Sequence, residues 1–339
     1  MPIRLTDAPL NAEALLADLD GGIVANELFY VRCNFAVPRL DAAAWRLDVG
    51  GAFERPRTWT LDELRTLPQL ERTVTLECAG NGRTLMTPTP PGTPWGLGAV
   101  GTTRFGGVRL ADVLAASGLR PDAVELVFGG ADRGTVEDQR AIAYEFNLGV
   151  AAAVGDGPML AWTMGGEPLA PEHGFPVRLV VPGQYGMRSV KWLTRVTAVT
   201  QPFEGHFPRK YRYRGEPGVV DGSPVDAIRV RSLITFPADG QHVPAEPIVV
   251  RGIAWSGSGP ITTVEFAVDG GWVPAELDEQ VDGSDLVTWT CGWIPASPGS
   301  HILAVRASDA EGHRQPESPV RNEGGYGNNV IQRITVEVP

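Results

Sequence analysis

Cys78 stands in the run Thr75-Leu76-Glu77-Cys78-Ala79-Gly80-Asn81-Gly82-Arg83, where the β-forming residues Thr73 to Leu76 give way to turn chemistry. A thiol at the end of a strand, on a Gly-rich turn, sits where loops carry function. Three chemistries are open to it. It can pack as a small hydrophobe. It can act as a nucleophile if the fold brings a base such as His173 or His206 close. It can also be a single thiolate ligand for a soft-ligand metal whose other donors come from a cofactor. Spacing alone leaves all three open. Charge supplies a second signal. From His173 to Arg214 the chain has eight Lys/Arg (178, 188, 191, 195, 209, 210, 212, 214) and one acid, Glu204, within a formal net charge of −11. Local field rather than net charge sets what a cleft attracts, so this island suits an anion pocket, although each residue alone also suits a solvated basic face.

The elements that must position these groups fall into two textures. From Arg4 to about Asp226, strand-like and helix-like pieces mix. Leu61–Leu64 and Leu110–Leu114 have helical spacing, the first entered through Thr60 as N-cap. Ala123–Phe128, Val177–Val181 and Val190–Val199 read as strands, and Thr87–Gly98 (TPTPPGTPWGLG) as a loop covering a surface or a site. From about Ala227 short alternating strands take over: Ile248–Ala254, Thr263–Val268, Val287–Cys291, His301–Ala307 and Val330–Val338. Asp269-Gly270-Gly271 provides a hairpin signal, and the spacing suits an antiparallel sandwich. Trp255, Trp272, Trp289 and Trp293 fall here, most simply as core. The boundary is expected near the Gly/Pro/Asp-rich stretch 215–227.

At 339 residues and 43% hydrophobic, the chain is long enough for two cored domains. Its three cysteines (33, 78, 291) are far apart with no C-x-x-C, which argues against a disulfide framework or a Cys-rich zinc site and for a reducing compartment. Neither a secretory signal nor a run of ~20 apolar residues is evident, so a cytoplasmic location and no membrane partner are expected, or a periplasmic one if a leader was removed. The acidic balance argues against nucleic-acid binding, which needs a basic surface.

TLECAGNGR resembles the T-x-x-C-A-G-N-x-R segment of the sulfite oxidase family of molybdopterin enzymes. Further similar segments follow in the family's order. Phe29-Tyr30-Val31-Arg32 with Pro38 resembles F-x-R-N-H-x-x-x-P, and Trp95 to Val100 resembles W-x-x-G-A-I. Phe128 to Asp132, His173 to Gly183 (HGFPVRLVVPG) and Ser189 to Leu193 come next. Ser232 to Thr235 and Ile253 to Gly257 resemble the family's immunoglobulin-like dimerisation domain, so the similarity covers nearly the whole chain.

The resemblance implies an α+β fold: a molybdopterin-binding domain over residues 1–226, then an immunoglobulin-like β-sandwich over 227–339 that makes a homodimer. The implied cofactor is Mo-molybdopterin, with neither haem nor flavin expected. Cys78 would be the metal ligand. Tyr30, Val31, Arg32, Cys33, Asn34, Asp132, His173, Arg178, Ser189, Val190 and Lys191 would hold the cofactor, whose phosphate suits charge-assisted Arg and Lys donors. Arg32, Arg83, Trp95 and Tyr211 would join Cys78 in a pocket for a small oxyanion, Arg being suited by its planar, permanently charged fork. The implied activity is oxygen-atom transfer to sulfite or a similar anion, with electrons passed to an external acceptor such as a cytochrome. Alternatives are an oxygen-removing reductase on nitrate or a sulfoxide, or a binding protein without turnover. Three positions depart from the pattern. Asn34 replaces the histidine of F-x-R-N-H. Arg321-Asn322-Glu323-Gly324-Gly325 lacks the arginine of W-N-x-R-G, for which Arg209, Lys210 or Arg212 could compensate. The spacing after Trp192 leaves Tyr213 a rival to Tyr211.

Overall fold

Two long strands, Gln69–Glu77 and Val100–Arg109, pair antiparallel from Gln69↔Val108 to Glu77↔Val100 in the computed structural model, which describes residues 1–137 and 140–339. Alternation along the first strand sets where each of its side chains goes, because successive residues point to opposite faces. Leu76 and Cys78 face an internal cavity, while Glu77 points away from it. The sheet continues through Met159–Met164, which also pairs with Arg178–Val180 and the short Glu167–Pro168. The loop from Cys78 to Ala99 carries only the 3-10 turn Arg83–Leu85, as its Pro and Gly content predicts.

A second five-stranded sheet runs in the order Arg57–Trp59, Leu47–Gly51, Leu193–Val199, Glu125–Thr135, Ala141–Gly149, parallel only between Leu47–Gly51 and Leu193–Val199. A small sheet of Ile3–Asp7, Leu10–Glu13 and Val31–Arg32 lies beside the site. Helix is scarce, and Leu110–Ser117 is the longest α-helix among the described residues. Leu61–Leu64 starts with the capping box expected at Thr60: its hydroxyl accepts from Glu63 N at 3.1 Å, and Glu63 Oε2 accepts from Thr60 N at 2.7 Å. Such a cap is worth roughly 1 kcal/mol.

The remaining chain forms two facing four-stranded antiparallel sheets. One has the order Arg231–Phe236, Ile248–Trp255, Leu286–Trp293, Glu276–Gln280. The other has Gly271–Pro274, Ile261–Val268, Gly299–Asp309, Gln332–Val338. Trp289, Phe266, Val250, Val305 and Val336 fill the space between them. Trp255 instead joins the core of the preceding sheets, together with Leu233, Ile253 and Leu286, so apolar packing is continuous across the junction. The edge strand Gln69–Glu77 is covered there, where Thr73 Oγ1 donates to Asp282 at 2.6 Å and Arg104 pairs with the same carboxylate. Covering an edge removes a template for unwanted pairing. No helix among the described residues is long and apolar enough to cross a membrane.

Candidate active site

Cys78 follows the last residue of its strand, as its sequence context predicts, with its N–H bonded to Ala99 O at 2.9 Å. It opens onto two spaces. The inner cavity is lined by Tyr30, Arg32, Asn34, Asp132, Tyr144, His173, Arg178, Ser189, Lys191, Trp192 and Tyr211 among others. The outer funnel is lined by Arg83, Trp95, Phe207, Lys210, Gly324 and Tyr326 among others. Four residues line both: Arg32, Asn34, Cys78 and Tyr211.

Local irregularities aim the polar groups inward. A register shift in Glu125–Thr135 between Gly129 and Arg133 turns Asp132 to the cavity, the usual use of a bulge. Trp192 has a positive φ of 51°, a rare conformation for a bulky residue, and is held by its indole N–H on Pro171 O at 2.7 Å. That bend ends the segment carrying Ser189 and Lys191. His173 closes a 3-10 turn, and Arg178 opens the next strand.

The inner cavity is basic. Arg178 donates to His173 O at 3.0 Å and Ser189 O at 3.4 Å, Lys191 to Glu172 O at 2.6 Å, and Arg32 to Asn34 Oδ1 at 2.7 Å, Asn11 Oδ1 at 3.2 Å and Cys33 O. Burial pulls the Arg178 guanidinium down to about 10 and the Lys191 ammonium below its usual range. Burial, with the neighbouring Lys191 and Arg178 charges, holds His173 at about 3, so the imidazole is neutral. Burial lifts Asp132 to about 6 against the pull of Lys191. The accessible surface of Cys78 faces the cavities, and burial pushes its thiol up while Arg32 pulls the other way. His173 Nε2 meets Asn26 O at 3.2 Å and His206 Nε2 lies 3.6 Å from Glu137 Oε2, and among the described residues neither ring bonds the thiol as the nucleophile reading requires.

Two buried polar atoms test the fit of a molybdopterin. Arg178 Nε, a donor, and Asp132 Oδ1, an acceptor, have no hydrogen-bond partner among the described residues, and such atoms call for a ligand or water. A ligand with ring donors, ring acceptors and a phosphate satisfies both. No group of three or more His, Cys, Asp or Glu among the described residues could hold a metal alone, so a metal at Cys78 would need further donors from such a ligand. The residues present fit the group.

Family models match in two blocks: an oxidoreductase molybdopterin binding domain over residues 34–207 and a Mo-co oxidoreductase dimerisation domain over residues 223–339. The sulfite oxidase of Gallus gallus is 36% identical, covering 94% of this chain and 74% of its own length. The chain belongs to the sulfite oxidase family of molybdopterin oxidoreductases. The mitochondrial sulfite oxidase of Rattus norvegicus is 35% identical over 97% of the chain, and nitrate reductase [NADH] 1 of Oryza sativa subsp. japonica is 35% identical over 99%. This sulfite oxidase family member spans 64% of the length of the former and 41% of the latter. Among solved structures, the sulfane dehydrogenase SoxCD from Paracoccus pantotrophus superimposes with a TM-score of 0.82 at 27% identity, covering 97% of this chain and 84% of its own. An α+β molybdopterin-binding unit followed by an immunoglobulin-like sandwich is therefore the fold.

The site residues expected from the sequence do not all reach the cavity. Tyr30, Arg32, Asn34, Asp132, His173, Arg178, Ser189, Lys191 and Tyr211 line it. Val31 and Cys33 pack behind it with Ala12 and Trp192, and Val190 is buried in the core. Cys33 Sγ lies 3.4 Å from Lys191 Nζ, supporting the lysine from behind. Arg83 and Trp95 line only the outer funnel. Tyr211 is the pocket tyrosine by position, whereas Tyr213 packs under Arg229, 4.5 Å from its ring centre.

The basic island is divided. Arg178 and Lys191 reach the inner cavity and Lys210 the outer funnel, while Arg188 pairs with Asp226 and Arg195 with Glu145. Of the three candidates to compensate for the arginine missing at Gly324, Lys210 lines the same funnel and is paired with Glu137 at 2.9 Å, Arg212 bonds Pro208 O and Gly222 O, and Arg209 is exposed. Arg83 itself bonds Thr93 O at 2.7 Å and Gly324 O at 3.0 Å, with the Tyr326 ring 5.7 Å away. The sequence reading missed Tyr144, Trp192 and Tyr326. Their aromatic character gives no local signal that separates a pocket wall from a core.

Proposed function

We propose that the chain catalyses oxygen-atom transfer to a small sulfur oxyanion, sulfite in the first instance, and passes the electrons to an external acceptor such as a cytochrome. One observation carries the reading: Cys78, Arg32, Asn34 and Tyr211 form the boundary shared by a basic inner cavity and an outer funnel. When bound, Mo-molybdopterin supplies the two-electron, oxygen-transferring chemistry. The residues of this chain do the rest. Cys78 gives the metal a thiolate, which the cation's charge keeps deprotonated. Asp132 and Arg178 offer one acceptor and one donor to the pterin and phosphate, with Lys191, His173, Ser189 and Tyr30 completing the wall. Neutral His173 spends its Nε2–H on Asn26 O at 3.2 Å and leaves Nδ1 as an acceptor that adds no charge.

At the boundary, Arg32 is fixed by three protein acceptors, and Arg83 by two carbonyls that leave its buried Nε–H without a partner among the described residues. Guanidinium groups held in this way are preorganised for an anion, and fixed donors stabilise developing charge without reorganising. Tyr211 lies at the same boundary, and its phenol can donate or accept a hydrogen bond. The division at residues 226 and 227 and a homodimer built through the sandwich belong to this proposal. Similarity to a nitrate reductase favours a second reading, oxygen removal from nitrate. Purified, molybdenum-loaded protein should reduce ferricyanide or cytochrome c on addition of sulfite. Oxidation of reduced dye by nitrate, with no response to sulfite, would replace the first reading with the second.

A further inference from the structure

Glu77, one residue before Cys78, is completely buried and lines neither cavity. A carboxylate in that position must be satisfied by protein groups, because an unpaired buried charge is expensive. Its Oε1 accepts from Asn81 Nδ2 at 3.0 Å and lies 3.0 Å from Arg231 Nε, a close charge contact whose angle falls short of a hydrogen bond. Its Oε2 accepts from Trp255 Nε1 at 2.9 Å. Arg231 and Trp255 are directly opposite each other on the first two strands of the sandwich, so the carboxylate is held by one cross-strand pair of the second domain.

The same domain holds the backbone of the cysteine loop. Ala79 O accepts from Gly327 N at 2.7 Å, Gly82 O from Asn328 Nδ2 at 2.7 Å, and Asn81 O from Arg231 Nη2 at 3.4 Å. Arg231 Nη2 also bonds Asn328 O, tying the two anchors together. Alternation of side chains supplies the geometry: Cys78 faces the cavity, so Glu77 must face the sandwich.

We propose that Arg231 and Trp255, acting through Glu77, are positioning residues for the Cys78 thiolate, so that the sandwich forms part of the metal site. This rests on Cys78 being the metal ligand. It goes beyond dimerisation, because the contacts lie within one chain and end on the residue adjoining the ligand. Arg231 also balances the Glu77 charge close to the metal, where low dielectric makes a single charge strongly felt.

The test uses molybdenum-loaded protein, with the molybdenum midpoint potential and the metal–sulfur distance from X-ray absorption as readouts. Arg231→Met leaves an uncompensated carboxylate, which favours the more highly charged oxidised metal, and should lower the potential. Glu77→Gln leaves an uncompensated guanidinium and should raise it. The double variant should return towards the parent value. A pair that serves stability alone would not give opposite shifts that cancel. Should these variants fail to fold or load, Trp255→Phe and Arg231→Lys decide the matter. The first removes one neutral donor and should change the metal–sulfur distance without moving the potential. The second keeps the charge and should leave the potential near the parent. An unchanged potential in loaded Arg231→Met or Glu77→Gln, shifts of the same sign in those two, or an unchanged metal–sulfur distance in loaded Trp255→Phe would overturn the proposal. Failure of the underlying reading would look different: Cys78→Ser would then leave the metal–sulfur signature of the loaded protein unaltered.

Discussion

Replacing Arg178 with glutamine tests the cofactor wall where the geometry is most specific. Arg178 is 5% exposed, spends its two terminal nitrogens on His173 O and Ser189 O, and keeps Nε free of any partner among the described residues. The Nε–H is the donor with no protein partner among the described residues, and a charge-assisted hydrogen bond from it to the cofactor is worth ~1.5–3 kcal/mol. At 1.4 kcal/mol per tenfold, its loss should weaken cofactor binding by roughly 10- to 150-fold. The assay is the molybdenum-to-protein ratio after extended dialysis, with pterin fluorescence of the denatured protein as a second count. Arg178→Lys keeps the charge but not the planar fork and should fall between glutamine and parent. Equal retention in Arg178→Gln and the parent would refute the reasoning, because it would mean that the unpartnered guanidinium edge has no ligand.

Two further outcomes are expected. The Asp132 carboxyl titrates at about 6 in the fold, above its unfolded value of roughly 4, so it costs cofactor-free protein stability as pH rises through that window. Asp132→Asn should therefore gain stability over the parent between pH 4 and 7, by at most about 3 kcal/mol in denaturant unfolding, and an unchanged difference would contradict the burial argument. At the junction of the two domains, a β-carbon on Gly257 would clash with the Gly183 carbonyl oxygen, a backbone atom unable to turn aside. Gly257→Ala should cost ~1–3 kcal/mol in thermal or denaturant unfolding, and a neutral result would show that the junction is looser than described.

Much of the first layer of the site was legible because each residue sits in a local pattern. The strand-to-turn change at Cys78 needs no tertiary information, and neither do Thr60 as a cap or the Pro-rich loop after Arg83. Five sandwich strands showed through alternation. Arg231–Phe236 is buried almost throughout and so does not alternate, while Glu276–Gln280 is a mostly exposed, acidic edge. The basic island was over-read, since sequence proximity cannot tell Arg178, which enters the cavity, from Arg188 and Arg195, which meet carboxylates elsewhere. Asn34 lines the cavity, where its side-chain oxygen accepts from Arg32 and its Nδ2 remains a donor. The Glu77–Arg231–Trp255 cluster was invisible for a plainer reason: its members are far apart in the chain, and a buried carboxylate looks like any other in a string of letters.

The central claim is that Cys78 supplies the protein ligand to a pterin-held molybdenum. X-ray absorption at the molybdenum edge tests it most directly, comparing loaded parent with loaded Cys78→Ser. The account predicts that the variant loses one sulfur neighbour, replaced by a lighter atom, while the pterin count per chain stays the same. Identical sulfur coordination in the two proteins would contradict it.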